Sequence, residues 1–272
     1  MRTCTLIAAC LAWAAPLHAD ADRSLPTGVQ IGWIGEIHDN PAHHAYQAEV
    51  VAASAPAALV FEMLTPGQAA RPTATDRQDA DRLGAALRWD ESGWPEWEMY
   101  APIFLAAPEA QLYGTARGRD EMRQSVTEGA AAVFGAAAPL FGLDQALPDD
   151  QQAVREEGQM VAHCNAMPVE MMGGMVEAQR LRDADLAYTA LTALLETGGP
   201  VIVIAGNGHV RGDWGAPSLL ALADPDIRQH IVHLSEEGTG TSADPGAFGV
   251  DEVVALPEVT DRGDPCAVFA RD

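Results

Sequence analysis

Lysine is absent from this chain, so apart from histidine every cationic side chain is an arginine. Sixteen arginines stand against 39 aspartates and glutamates, leaving a formal net charge of -23 at pH 7. Phosphate backbones and anionic membranes are recognised by basic patches, so this balance argues against nucleic acid and anionic lipid as partners. Cysteine is scarce as well, four in 272 residues, and no two have the Cys-x-x-Cys spacing of a zinc or redox pair. Past the N-terminus no stretch reaches the roughly 18 consecutive apolar residues of a spanning helix. Internal repetition is limited to one short motif that occurs twice.

The chain begins with Arg2, an apolar stretch from Leu6 to Pro16, and small residues around Ala19 and Ala21. Charged, then apolar, then small is the order of a secretory signal, here residues 1–21, which makes the mature chain periplasmic or secreted. A lipoprotein signal ending at Ile7-Ala8-Ala9-Cys10 is the runner-up, ranked second because its apolar segment is short. Cys4 and Cys10 fall inside this segment and leave Cys164 and Cys266. In an oxidising compartment these two are expected to form a disulfide rather than stay as free thiols. Residues 22–272 suffice for a single α/β domain with a substantial core, and nothing demands a second.

The repeated motif closes two buried-strand patterns. Val29 to His44 reads VQIGWIGEIHDNPAHH, Val201 to Arg211 reads VIVIAGNGHVR, and each apolar run ends in Gly-x-x-His. In a parallel sheet, ligands bind beyond the carboxyl ends of the strands, so His38 and His209 are expected at one edge. Glu36 and His38, two apart in extended chain, point the same way. Asn40 and Pro41 supply the cap and first position of a helix reaching about Ser54, with His43 and His44 in its first turn. A further strand, Ala57 to Glu62, ends in a carboxylate that is costly to bury without a partner, which makes Glu62 a site candidate. Arg211, two residues after His209, can hold a carboxylate in two-point contact. Strands are also expected at Gln111–Thr115, Gln229–Leu234, Asp251–Leu256 and Cys266–Ala270. Their alternation with helices predicts a three-layer α/β/α sandwich, mostly parallel, with a mixed edge and a helical insertion.

Two other regions stand out. Trp89, Trp94, Trp97 and Tyr100 fall within twelve residues and suit either core packing or the wall of a cleft for a flat ligand. Met160, Met167, Met171, Met172 and Met175 surround His163 and Cys164; methionine is an adaptable core filler and also a good wall for a planar cofactor. On the long helix that follows, Gln179, Arg182 and Asp183 share one face, as a surface ion pair or as a brace for the site.

Taken together, IGWIGEIHDNPAHH, FEM at Phe61 to Met63, WPEWEMYAPIFLAA at Trp94 to Ala107, AHC at Ala162 to Cys164, EAQRLRDADLA at Glu177 to Ala187 and IAGNGHVRGDWGAP at Ile204 to Pro217 resemble the ChaN-like family of haem-binding uptake proteins. That family belongs to a wider superfamily with the Tiki, TraB and erythromycin-esterase proteins. The resemblance implies an exported or lipid-anchored haem binder in iron acquisition, with homodimerisation and an outer-membrane haem transport system as companion expectations. Tyr100 and His163 are the axial-ligand candidates, since phenolate and imidazole both bind haem iron, and His38, His44, His209 and Arg211 complete the haem-binding set. There is no Cys-x-x-Cys-His, so covalent attachment is not expected. The alternative is a hydrolase in which Glu36, His38, Glu62 and His209 bind a divalent metal or activate water while Arg211 holds substrate charge.

Overall fold

The computed structural model describes residues 23–238 and 244–269, so the expected signal segment lies outside the described residues. Six strands, β1 (Ile31–Ile34), β2 (Ala58–Phe61), β3 (Gln111–Gly114), β4 (Val201–Ile204), β5 (Gln229–Glu236) and β6 (Glu252–Leu256), form one sheet in the order β3-β2-β4-β1-β5-β6. The central strands IGWI, ALVF and VIVI are buried on both faces, which is why they read as continuous apolar runs rather than as alternation.

All the described pairings are parallel, which corrects the expected mixed edge. A parallel neighbour needs a crossover of about a dozen residues or more. The 15 residues between β5 and β6 meet that requirement, so the Gly- and Ser-rich connection is no hairpin. The strand expected at Cys266–Ala270 is also corrected: Pro265–Phe269 is a 3-10 helix, and Ala270 lies outside the described residues.

Between β1 and β2 runs α1 (Pro41–Ser54); between β2 and β3 lie α2 (Pro66–Ala69), α3 (Ala80–Leu87) and α4 (Trp97–Ala106). The helical insertion between β3 and β4 holds α5 (Arg119–Glu128), α6 (Ala130–Phe134), α7 (Asp149–Ala162) and the long α8 (Met172–Thr197), and α9 (Ala216–Ala223) links β4 to β5. Side chains alternate across the sheet. Ile34, Leu59, Phe61 and Ile204 enter a core shared with α1, α3 and α4, whereas Trp33, Val60, Val201 and Val203 enter a second core shared with α6, α8 and α9. Helices therefore cover both faces, giving the three layers. Among the described residues no helix is long and apolar enough to cross a membrane.

Most of the tryptophan-rich segment belongs to the first core. Trp89 packs on Trp97 and Tyr100, and Phe104 stacks on Phe61 with ring centroids 4.0 Å apart. Cys164 and Cys266 are joined in a disulfide with Cα atoms 5.6 Å apart.

Candidate functional site

The strands β2, β4 and β1 are neighbours in the sheet, so the residues after their carboxyl ends meet at one edge. Glycine makes the meeting close. A Cβ on Gly35 would collide with Asn207 Oδ1 and Val210, and one on Gly206 would come within 2.9 Å of His38 Nε2 and 3.5 Å of Glu62 Oε2. The two Gly-x-x-His segments are also tied directly, Asn207 N donating to the Glu36 carbonyl at 2.9 Å.

Glu36 is buried and fully engaged. Its Oε1 accepts from His38 Nδ1 at 2.7 Å and from the Tyr100 hydroxyl at 2.6 Å, while Oε2 accepts from Gln47 Nε2 at 2.8 Å. Burial by itself would push the Glu36 carboxyl up, but His38, the nearby His44 and Tyr100 together hold it below the usual carboxylate value. For His38 burial disfavours the imidazolium, yet the bond to Glu36 and the proximity of Glu62 outweigh it and raise its pKa above the ordinary imidazole value. Because Nδ1 is committed to the carboxylate, Nε2 points the other way. The His38 side chain remains about one-third exposed (34%) and its ring packs on Trp94 at 4.7 Å.

A second braced imidazole stands across Gly206. His209 Nδ1 donates to Asp183 Oδ1 at 2.6 Å, and its Nε2 lies 3.4 Å from Glu62 Oε1. Burial opposes protonation of His209, but Glu62 and Asp183 override it, so its pKa is also raised. Glu62 Oε2 accepts from Gly206 N at 2.8 Å, and Arg155 from α7 reaches Asp183 at 3.4 Å. Asp183, on the polar face of α8, is thus the brace of the second histidine.

Several sequence candidates fall elsewhere. Tyr100 is fully buried and its hydroxyl donates to Glu36 Oε1; burial followed by the Glu36 charge raises its pKa far above that of an ordinary phenol. His44 is buried and holds the loop from below, with Nε2 2.9 Å from the His38 carbonyl and Nδ1 3.1 Å from Gln47 Oε1. His43 accepts from Ile37 N at 3.0 Å. His163 follows the end of α7, eight residues beyond Arg155 and therefore about 12 Å further along the helix; its ring neighbours Phe269 beside the disulfide. Arg211 leaves the cluster: its fork is filled by Asp213, at 2.9 and 2.5 Å, and it stacks on Trp214 at 3.6 Å. Of the metal-ligand candidates Glu36, His38, Glu62 and His209, the first two are hydrogen-bonded to each other and the last two lie 3.4 Å apart; among the described residues no group of three or more His, Cys, Asp or Glu is placed to hold an ion.

Beside this cluster opens a cleft of about 610 Å³, bordered by Glu62 and by Trp94, on which the His38 ring packs. That size lies within the range of about 300–1,000 Å³ usual for small-molecule sites. Met63 and Met122 add apolar wall, and five arginines line it: Arg71, Arg88, Arg117, Arg119 and Arg182. The methionines of the 160–175 segment do not. Apart from Arg182, sequence reading passed over these arginines; Arg117 and Arg119 could have been found, since they directly follow the strand at Gln111–Gly114 on the ligand-binding side of the sheet.

The haem-binding uptake family of the Tiki superfamily, ChaN, matches residues 30–220. The chain belongs to this ChaN family. Among solved structures it is similar to ChaN of Campylobacter jejuni, described for its cofacial haem binding, at 18% identity and a TM-score of 0.58, covering 76% of this chain and 82% of that one. Weaker likenesses are to the type III effector HopBA1 (13% identity, TM-score 0.44, 85% and 88% covered) and to the erythromycin esterase EreC in its open conformation (12% identity, TM-score 0.40, 82% and 74% covered). No curated protein matches the chain. The matched span runs from β1 into α9 and hence takes in both Gly-x-x-His segments, Glu62 and Asp183 of this ChaN-family member.

Proposed function

We propose that this protein binds haem in the arginine-lined cleft and presents His38 Nε2 to the iron. The observation that carries the reading is the Glu36–His38 pair: a carboxylate holds Nδ1, which fixes the tautomer and leaves Nε2 on the side of Gly206 and Glu62, the latter bordering the cleft, the usual arrangement behind a metal-binding histidine. Haem, when bound, supplies an iron that neutral imidazole can ligate. Trp94 beside His38 and the methionine walls suit a flat apolar ring, and the donor set therefore fits the group. Tyr100 serves in this reading as a positioning residue, acting through Glu36. Export to the periplasm or exterior, a part in iron uptake with an outer-membrane system, and dimerisation complete the proposal.

Haem titration of the purified protein, followed in the Soret band, tests it. Wild type saturates; His38→Ala loses about tenfold or more in affinity and shifts the band, while Tyr100→Phe and His163→Ala keep the wild-type spectrum. Absence of saturable binding by wild type, or an unchanged spectrum in His38→Ala, overturns the assignment.

A second reading is favoured by one specific observation, the buried Asp183–His209–Glu62 array, which iron ligation by His38 does not use. Paired carboxylate and imidazole can move protons during ester or amide hydrolysis. Turnover of ester substrates that disappears in His209→Ala, with haem affinity retained, would support it.

A further inference from the structure

We propose that Arg71, Arg119 and Arg182 form a carboxylate-binding rim on the cleft, recognising the propionate groups of a porphyrin whatever metal the ring holds. The inference rests on the haem reading and assigns residues that the reading leaves unused.

Charge distribution is the first argument. Acidic residues outnumber arginines 39 to 16, so an arginine placed without regard to function has carboxylates to hand. Two of the five cleft arginines follow that pattern. Arg88 Nε bonds Glu91 at 2.7 Å, and Arg117 grips Asp185 at 2.5 and 2.7 Å with Glu121 at 2.8 Å. Arg71, Arg119 and Arg182 have no carboxylate partner among the described residues, although all three line the same cavity.

Their origins are the second. Arg71 follows α2, Arg119 opens α5 and Arg182 lies on α8, so three separate elements deliver a guanidinium to one cavity. The Arg117–Asp185 pair fastens the turn after β3 to α8 and sets the spacing between Arg119 and Arg182. A guanidinium fork binds a carboxylate in two-point fashion and stays charged at any working pH. In a chain of net charge -23 an anionic ligand is repelled overall, and a local arginine rim focuses attraction where it is needed. Apolar wall at Trp94, Met63 and Met122 together with the charged rim matches one class of ligand: a flat apolar body bearing carboxylates.

Equilibrium titrations followed by tryptophan quenching separate the rim from the iron. The probes are iron protoporphyrin IX, metal-free protoporphyrin IX and its dimethyl ester, each against wild type, the three single arginine-to-alanine variants and His38→Ala, with thermal melts as a fold control. Expected is metal-free free acid within about tenfold of haem, the ester weakened tenfold or more, and each arginine variant weakened severalfold toward the free acids but not toward the ester. Ester binding as tight as free acid, or arginine variants that leave free-acid affinity unchanged, overturns the rim and leaves haem binding standing. If neither haem nor porphyrin binds wild type saturably, the haem reading and the rim fall together.

Discussion

Gly206 shows how much one missing methyl controls. Alanine there would press on the far end of His38 rather than on backbone, so the ring rather than the fold gives way. Gly206→Ala is expected to change the melting temperature by no more than a few degrees while weakening haem binding at least tenfold, read by parallel melts and Soret titrations. His233 provides a residue-scale pH prediction away from the cleft. Burial first, then the charges of Arg211 and His43, depress its pKa to about 4, and its buried Nδ1 has no hydrogen-bond partner in the structure. Between about pH 6.5 and pH 4 the unfolded chain takes up a proton that the folded ring refuses, so stability falls as pH drops through that window. After solvent screening this amounts to about 1–2 kcal/mol. His233→Gln should flatten the corresponding part of a denaturation-versus-pH curve; an unchanged curve would contradict the assignment.

At the scale of the element, the first Gly-x-x-His segment depends on how α1 begins. Asn40 Oδ1 accepts from Ala42 N at 2.8 Å as the helix cap, while its Nδ2 donates to Glu236 Oε1 at 2.8 Å and to the Pro257 carbonyl at 2.9 Å. One side chain therefore caps the helix and clamps the loop carrying His38 to the end of β5. Asn40→Ala removes the cap together with both Nδ2 hydrogen bonds, at about 2–4 kcal/mol in sum. Chemical denaturation would measure the loss, and Asn40→Asp, which restores the cap without the donors, should recover only part of it. α8 works by the same logic: its apolar face fills a core while Asp183 and Arg182, adjacent in sequence, turn to His209 and to the cleft.

Across the whole molecule, the C-terminal segment is fastened at two points. Arg262 bonds Asp39 at 2.7 Å and Glu236 at 2.7 Å, and the Cys164–Cys266 disulfide ties the same segment to the turn after α7. Residues separated by 102 positions close a long loop, worth roughly 4–5 kcal/mol in the chain-entropy model. Reduction, or a Cys164→Ser/Cys266→Ser double substitution, should lower the melting temperature by several degrees or more. A loss below 1 kcal/mol would mean that the unfolded chain is already compact in this region.

Periodicity and punctuation carried a large share of this architecture. Apolar runs located β2, β3, β5 and β6 to within a residue or two and put β1 and β4 inside the two Gly-x-x-His segments, Asn40-Pro41 marked the start of α1, and Gly-x-x-His placed two histidines beyond strand ends, because all of these are local properties of the backbone. Strand direction at the β5–β6 edge was not local, since it depends on which way a connection returns. Burial of Tyr100, diversion of Arg211 to Asp213, and convergence of Arg71, Arg119 and Arg182 on one cleft are also products of packing among distant segments. The sequence by itself determined which residues could do chemistry at the sheet edge. Only the tertiary structure decided which of them are engaged as hydrogen-bond partners in the interior and which, like His38, keep a face turned outward, because solvent access belongs to the assembled molecule and not to any stretch of chain.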